Sequence, residues 1–270
     1  MIDKTNLKKL GIGSVGDAYL CEDNKVIIIG KREDSFSNYQ QLVEKYRLFD
    51  GKIHSINYPK IHQLISPCEE FEFGALIESY VGGIELREKV VDMSKIDKIE
   101  LGKNLALFLN ELHKISIRGD KIFEIETDLK KFDKSLNLLV DFLQKEDIYR
   151  LKIVRHKYYD FMNEKQFCIT HGDLNAGNIM ISPENKLEGI IDFGNMEFYV
   201  PEVEFAHMFF FDKTICDAMI SNYDQNINEN DIILLELVMC VRHFKNIIGF
   251  ETKREKCIQD IKNIMNLYLK

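Results

Sequence analysis

Apolar and polar positions follow two rhythms along the chain, and the change between them near residue 81 is its first organising feature. Before that point short apolar runs are separated by turn residues. The stretch GDAYLCEDNKVIIIG carries two such runs around Glu22-Asp23-Asn24, the pattern of a hairpin. YPKIHQLISP and FEFGALIESY predict a second pair of strands, and Phe36, Leu42, Val43, Tyr46 and Phe49 mark a helix between the pairs. After Val81-Gly82-Gly83 the period lengthens. Leu101, Leu105, Phe108, Leu109 and Leu112 fall on one helical face. Phe132, Leu136, Leu139 and Leu143 repeat that spacing, as do Ile258, Ile261, Met265 and Tyr268. Short β-like runs at 167–170, 178–182 and 187–193 lie between the helices. The expectation is an α+β chain of two lobes. Residues 1–80 form a small antiparallel β lobe with one main helix, residues 81–270 a larger and mostly helical lobe, and a ligand sits in the crevice between them.

Composition narrows the class. The chain has 270 residues, 45% hydrophobic and 30% charged, which suits a soluble globular protein. A net charge of −8 argues against general affinity for nucleic acid or anionic membrane, and it tolerates a cationic small molecule as partner. The six cysteines are scattered without a C-x-x-C pair or zinc-ligand spacing, as expected of reduced thiols in a cytoplasmic protein. The opening MIDKTNLKKL lacks an apolar signal core, and no apolar run approaches the length of a membrane span. No internal repeat is visible, and a monomer or weak dimer is expected.

The candidate chemistry lies in THGDLNAGNIM and GIIDFGN. Asp173 follows an apolar run, Asn178 comes five residues later just before Ile179-Met180-Ile181, and Asp192 ends a second apolar run. A hairpin turned near Pro183-Glu184-Asn185 would bring the Asn178 amide beside the Asp192 carboxylate, with Asp173 at its mouth. Such oxygen donors suit Mg²⁺, which prefers one or two carboxylates together with phosphate oxygens. The remaining carboxylate can accept a proton from an attacking hydroxyl. Asp and Asn at this interval, followed by D-F-G, is the protein-kinase catalytic pattern.

With these residues the chain resembles the aminoglycoside phosphotransferase family of the protein-kinase-like fold, whose relatives include choline, homoserine and methylthioribose kinases. The signatures are THGDLNAGNIM, GIIDFGNMEFYVPEVEFA and the helix LALFLNELHKI. The resemblance implies ATP- and Mg²⁺-dependent phosphorylation of a hydroxyl on a small molecule. It places the base at Asp173, metal ligands at Asn178 and Asp192, and a structural role at His171. A protein substrate is disfavoured, because H-G-D replaces H-R-D and few residues separate Asp192-Phe193-Gly194 from Val200-Pro201-Glu202.

The nucleotide half is less regular. LGIGSVGDAYL sets three glycines around Ser14, a turn whose amides and hydroxyl can approach phosphates. LIESYVGG resembles the family hinge, making the backbone of Glu78, Ser79 and Tyr80 the candidate adenine clasp. The family's strand lysine, which pairs with a helix glutamate, is missing from KVIIIGKR: Ile28 or Ile29 falls at its place. Lys31 is the nearest substitute, Lys25 a poorer one, and Glu44 the helix partner. If no lysine reaches the phosphates, another nucleoside triphosphate or a nucleotide-binding protein with little kinase activity becomes the alternative. On the acceptor side, Glu197, Glu202 and Glu204 suit a polycationic aminoglycoside, with one of the latter pair expected to be structural. A quaternary ammonium would instead prefer an aromatic cage, so a metabolite kinase of choline, sugar or homoserine type stays open. A metal-dependent hydrolase is disfavoured by the lack of clustered histidines.

Overall fold

The structure is a computed structural model that describes residues 7–116 and 125–269, so residues 1–6 of the MIDKTNLKKL opening lie outside it. The first lobe is a five-stranded antiparallel sheet in the order β1-β2-β3-β5-β4. Its strands are β1 (Lys8–Ile12), β2 (Gly16–Cys21), β3 (Lys25–Gly30), β4 (Ile61–Ile65) and β5 (Ala75–Ser79). The expected hairpin is β2–β3. Its turn places Asp23 and Asn24 at φ 65 and 54, left-handed positions that Asx side chains tolerate better than most. Helix α1 (Ser35–Phe49) follows β3 and contacts β4 and β5. Its buried residues are Ser35, Tyr39, Tyr46 and Phe49, so Tyr39 does more of the inward packing than the stripe implied.

Alternation along the strands gives the sheet two unlike faces. Ile27, Ile29 and Ile77 join Tyr19, Phe71 and Ala75 in a small apolar cluster on one of them. Ala18, Val26, Ile28, Leu76 and Glu78 share the other, registered as Ala18 opposite Ile28, Val26 opposite Glu78 and Ile28 opposite Leu76.

The chain leaves the sheet after Ser79, and β6 (Ile84–Glu85) already pairs with β8 (Ile179–Ile181) of the second lobe. Gly83 sits at φ +116 in this crossing, where a side chain would also meet the backbone of Ile181. A short α2 (Leu86–Lys89) leads to α3 (Lys95–His113), which starts with a capping box. The Ser94 hydroxyl accepts from the Asp97 N–H at 3.1 Å, and the Ser94 N–H donates back to the Asp97 carboxylate at 3.2 Å. Helices α4 (Ile125–Leu139) and α5 (Lys145–Glu164) precede β7 (Cys168–Thr170). The apolar period through Leu143 overruns α4: the helix stops at Leu139, and Leu143 is buried from the turn that follows.

Next come β8, β9 (Leu187–Ile190) and β10 (Glu197–Tyr199), the last pairing with β7. Helices α6 (Val203–Phe211), α7 (Lys213–Asn222), α8 (Glu229–Ile247) and α9 (Glu251–Tyr268) complete the lobe. One apolar core runs through both lobes, from Tyr46, Phe49 and Tyr58 to α3, α6 and α7, with Phe193 inside it. A second core joins α4, α5, α8 and α9. All six cysteines are unpaired thiols. Among the described residues no helix is long and apolar enough to cross a membrane.

Candidate active site

The β8–β9 hairpin forms as the sequence pattern requires. Ile179 pairs with Ile190, and the Ile191 N–H donates to the Asn178 carbonyl at 2.9 Å. Asn178 and Asp192 therefore leave the open end of the hairpin on adjacent strands. At the closed end Asn185 takes φ 64, and its amide donates to Asp97 at 3.1 Å, tying the turn to the start of α3.

Asp173 is held at the mouth of the hairpin by three amides. Asn178 Nδ2 donates to its carbonyl at 2.9 Å and to its carboxylate at 3.3 Å. Asn175 Nδ2 donates to the other carboxylate oxygen at 2.7 Å, and Asn195 Nδ2 lies 3.4 Å from the first. These contacts orient the carboxylate without neutralising it. Because the Asn178 amide nitrogen is turned to Asp173, its oxygen is the end left for another donor or a cation. Asp192 sits at φ 63, ψ 66, with its carboxylate accepting from the Gly194 N–H at 3.3 Å. A left-handed aspartate is a strained position, and such strain clusters at functional sites.

His171 is fully buried beneath the loop. The Asp173 N–H donates to its Nδ1 at 3.3 Å, so Nε2 carries the proton and donates to the Ile191 carbonyl at 3.0 Å. One imidazole thus joins the Asp173 loop to the strand that delivers Asp192. Its ring stacks edgewise on Phe193 at 4.6 Å, and Phe49 stacks on the same ring at 4.9 Å. Gly172 has φ +77, and a side chain there would collide with the Asn195 carbonyl. H-G-D is consequently a packing requirement of this loop.

Glu202 and Glu204 do not face the crevice. Both are buried, at 2% and 1% exposure. Glu204 accepts from the backbone N–H groups of His171 and Gly172 and lies 4.0 Å from His113 Nε2. Glu202 accepts from Lys165, whose amine also reaches Asp231 at 2.7 Å. A carboxylate buried against fixed partners is unavailable to a mobile ligand, so two of the three expected acceptor-side glutamates belong to the interior. Glu197 stays accessible on β10, although the protein around it raises its carboxyl pKa, with Arg242 opposing.

Sequence spacing gave no sign of His207 and Glu236. The imidazole of His207 on α6 lies 3.9 Å from the Asp173 carboxylate and 3.6 Å from Glu236 on α8. Burial raises the Glu236 pKa, and its Oε2 has no hydrogen-bond partner. The only sequence signal was that each interrupts an apolar run, His207 within Phe205–Phe211 and Glu236 within Ile232–Val241.

The nucleotide-side candidates are scattered. Ser14 is exposed in the β1–β2 turn, where Gly13 N–H donates to the Gly16 carbonyl at 3.0 Å. Lys31 lies beyond β3 with its amine on Asp17 at 3.0 Å. Asp17 stands opposite Ile29, on the sheet face away from Glu78, which directs Lys31 away from the crevice. Glu44 is exposed and pairs with Arg47 on its own helix. In the crossing, the Ser79 and Tyr80 N–H groups donate to the carbonyls of Lys60 and Asn24, each at 2.9 Å. Those amides are engaged within the lobe and so are not free to clasp an adenine. The Glu78 side chain turns inward, where burial and the Asp192 charge push its pKa up to about 8. A cavity of about 480 Å³ beside the crossing is lined by residues including Tyr58, Lys60, Tyr80 and Glu188, and by none of Asp173, Asn178 and Asp192.

The donor set fits magnesium in one specific way. Among the described residues no three His, Cys, Asp or Glu side chains cluster as a self-sufficient metal cage. An amide oxygen and a carboxylate from adjacent strands would supply only part of a hard-oxygen shell, which suits an ion that takes its other ligands from phosphate and water.

A model of the phosphotransferase enzyme family matches residues 31–229. A sequence search of curated proteins finds no match. Among solved structures, the ADP-bound aminoglycoside phosphotransferase APH(2'')-Ib has a TM-score of 0.74 at 21% identity, covering 98% of this chain and 92% of that one. The GDP complex of wild-type aminoglycoside 2'-phosphotransferase-IIIa reaches 0.83 at 15% identity, with 98% and 93% covered. Choline kinase LicA from Streptococcus pneumoniae reaches 0.63 at 13% identity, with 96% and 93% covered. At such identities the likeness is one of fold, the two-lobed kinase-like fold that the sequence predicts.

Proposed function

Because the chain belongs to the phosphotransferase enzyme family, and is therefore a small-molecule kinase, we propose that it transfers the terminal phosphoryl group of ATP to a hydroxyl of an aminoglycoside-type polyamine. The observation that carries the chemistry is the hairpin register that sets Asn178 beside Asp192 with Asp173 at its mouth. Asp173 accepts the proton of the attacking hydroxyl, and the amides of Asn175, Asn178 and Asn195 fix the direction of its carboxylate. Asn178 and Asp192 are the residues that would hold Mg²⁺. When bound, the ion neutralises charge on the phosphate oxygens. His171 and Glu204 keep the loop in place, so that positioning supplies much of the rate.

Support for a cationic acceptor comes from Glu236, linked to Asp173 through the His207 imidazole, and from aminoglycoside kinases among the structural neighbours. A second acceptor class is favoured by the burial of Glu202 and Glu204. With those two carboxylates withdrawn, a smaller metabolite carrying one positive charge becomes a better match than it was on sequence. The deciding experiment follows nucleotide turnover, with ATP and GTP, over a panel of aminoglycosides, choline, sugars and homoserine, with Asp173→Asn as control. Phosphorylation of an aminoglycoside that vanishes in the control supports the proposal. Turnover confined to a metabolite transfers it to the second class, and undiminished activity in D173N removes Asp173 as the base.

A further inference from the structure

We propose that Lys45 on α1 supplies the positive charge for the nucleotide phosphates that β3 does not, so that the cation of the crevice is carried by the helix and not by the sheet. This rests on the kinase function proposed above. The crevice-facing positions of β3 are Val26 and Ile28, which share a sheet face with Glu78. Neither can meet a phosphate. Lys31 is bound to Asp17 on the opposite face, and Lys25 begins the strand between Cys21 and Ser79. The side chains flanking this face, Glu78 on β5 and Asp192 just after β9, are both carboxylic acids and contribute no positive charge. A polyphosphate entering beside them needs a cation from elsewhere in the protein.

Helix α1 supplies one. The Lys45 amine donates to the Gly194 carbonyl at 2.6 Å, two residues beyond Asp192, and its charge also acts on Glu197. Helical spacing explains the reach. Phe49 lies one turn after Lys45 on the same face, and its ring stacks on Phe193 at 4.9 Å. Tyr46, the next residue, meets Phe193 edge-on at 5.7 Å. The aromatic contacts therefore clamp α1 against the 192–194 turn and hold the base of the Lys45 side chain there. A lysine stem is long and rotatable, and its ammonium has three donors, so a phosphate can be engaged from this anchor. Glu44, by contrast, points outward onto Arg47. Where the family pattern expects a strand lysine and a helix glutamate, this chain has an isoleucine on the strand, a lysine on the helix and the acid on β5.

The test is calorimetric binding of adenosine, ADP and ATP, with Mg²⁺, to the wild-type chain and to the variants K45M, K45R and K31M. Lys45→Met is expected to weaken ADP and ATP by about tenfold or more while leaving adenosine unchanged, as for loss of one charge-assisted hydrogen bond. Lys45→Arg recovers part of the loss, and Lys31→Met binds all three as the wild type does. Equal ATP affinity in K45M overturns the inference, as does a phosphate-selective loss in K31M instead. Parallel loss of adenosine and ATP in K45M also overturns it, because the lysine is then structural. A wild-type chain that binds none of the three nucleotides defeats the kinase proposal itself, and so is distinguishable from failure of the Lys45 assignment alone.

Discussion

The side-chain amide of Asn178 donates to both the carbonyl and the carboxylate of Asp173, at 2.9 and 3.3 Å, while the backbone carbonyl of Asn178 receives the Ile191 N–H. One residue thus fixes the direction of the base and the position of the strand that ends in Asp192. Two substitutions separate these duties. Asp173→Asn removes the proton acceptor while keeping one of the two side-chain acceptor oxygens and the backbone carbonyl that Asn178 binds. Turnover should fall by about 10²–10⁴, with Mg-ATP binding retained. Asn178→Ala keeps that backbone carbonyl but removes the side-chain amide, whose nitrogen orients Asp173 and whose oxygen would face the ion, so it should weaken the Mg²⁺ dependence of nucleotide binding as well as turnover. Single-turnover rates and a Mg²⁺ titration of ATP affinity check the pair. If N178A binds Mg-ATP as the wild type does, Asn178 is only a scaffold.

Glu204 is a second place where structure and chemistry can be told apart. Its carboxylate receives two buried backbone N–H groups, from His171 and Gly172. Truncation to alanine strands both donors, at about 1–3 kcal/mol each. Glu204→Ala should therefore lose about 3 kcal/mol, read as a fall of roughly 6–12 °C in melting temperature. Glu204→Gln, which keeps one acceptor oxygen, should lose less. Unchanged melting together with a raised acceptor KM in E204A would restore this glutamate to the acceptor side.

These two cases show what the sequence could and could not disclose. That Asp173, Asn178 and Asp192 come together was legible because two short apolar runs around a turn fix a hairpin, and its register decides which neighbours meet. The passage from a β-sheet to mostly helical structure after Ser79 was legible because the hydrophobic period changes there. Glu202 and Glu204 were not, since a carboxylate looks the same in sequence whether it lines a cleft or caps buried amides. The failure of Lys31 was hidden in strand parity: one residue past the strand end, its amine falls to the Asp17 face. Asp128 marks the same blind spot within α4, a buried acid met by Tyr158 and by Arg242 at 2.8 Å from elements far apart in sequence. Pairings that depend on how helices stack carry no local signal, and His207 with Glu236 is another of that kind.

Gly172 offers a prediction about the H-G-D motif itself. Its left-handed φ of +77 costs a residue with a side chain about 1–2 kcal/mol, and the Asn195 carbonyl occupies the space a Cβ would need. Asn195 also donates to Asp173, so displacing it disturbs the base. Gly172→Ala should lower both stability and turnover, and Gly172→Arg, which restores the protein-kinase motif, should do worse. Thermal melts with nucleotide turnover measure both. A stable and fully active G172R would show that the loop has another conformation within easy reach.

The buried acid of β5 makes the stability depend on pH in an assignable way. The Glu78 carboxyl has its pKa pushed from 4.5 up to about 8, by burial first and by the Asp192 charge second. The folded chain therefore keeps the proton over a range where the unfolded chain has lost it. Because the unfolded state binds fewer protons there, the contribution of this group is fully present below about 4.5 and drains away as pH rises towards 8. Above that value both states are ionised and the loss is complete. Glu78→Gln removes the group from the balance while keeping its shape. Melting temperatures from pH 5 to 9, measured with a chelator so that no divalent ion screens Asp192, should show the wild type losing ground to E78Q as pH rises through the window. The difference should level off near pH 8. Parallel melting curves for the two chains across that range would mean that Glu78 finds a cation or solvent that offsets its burial.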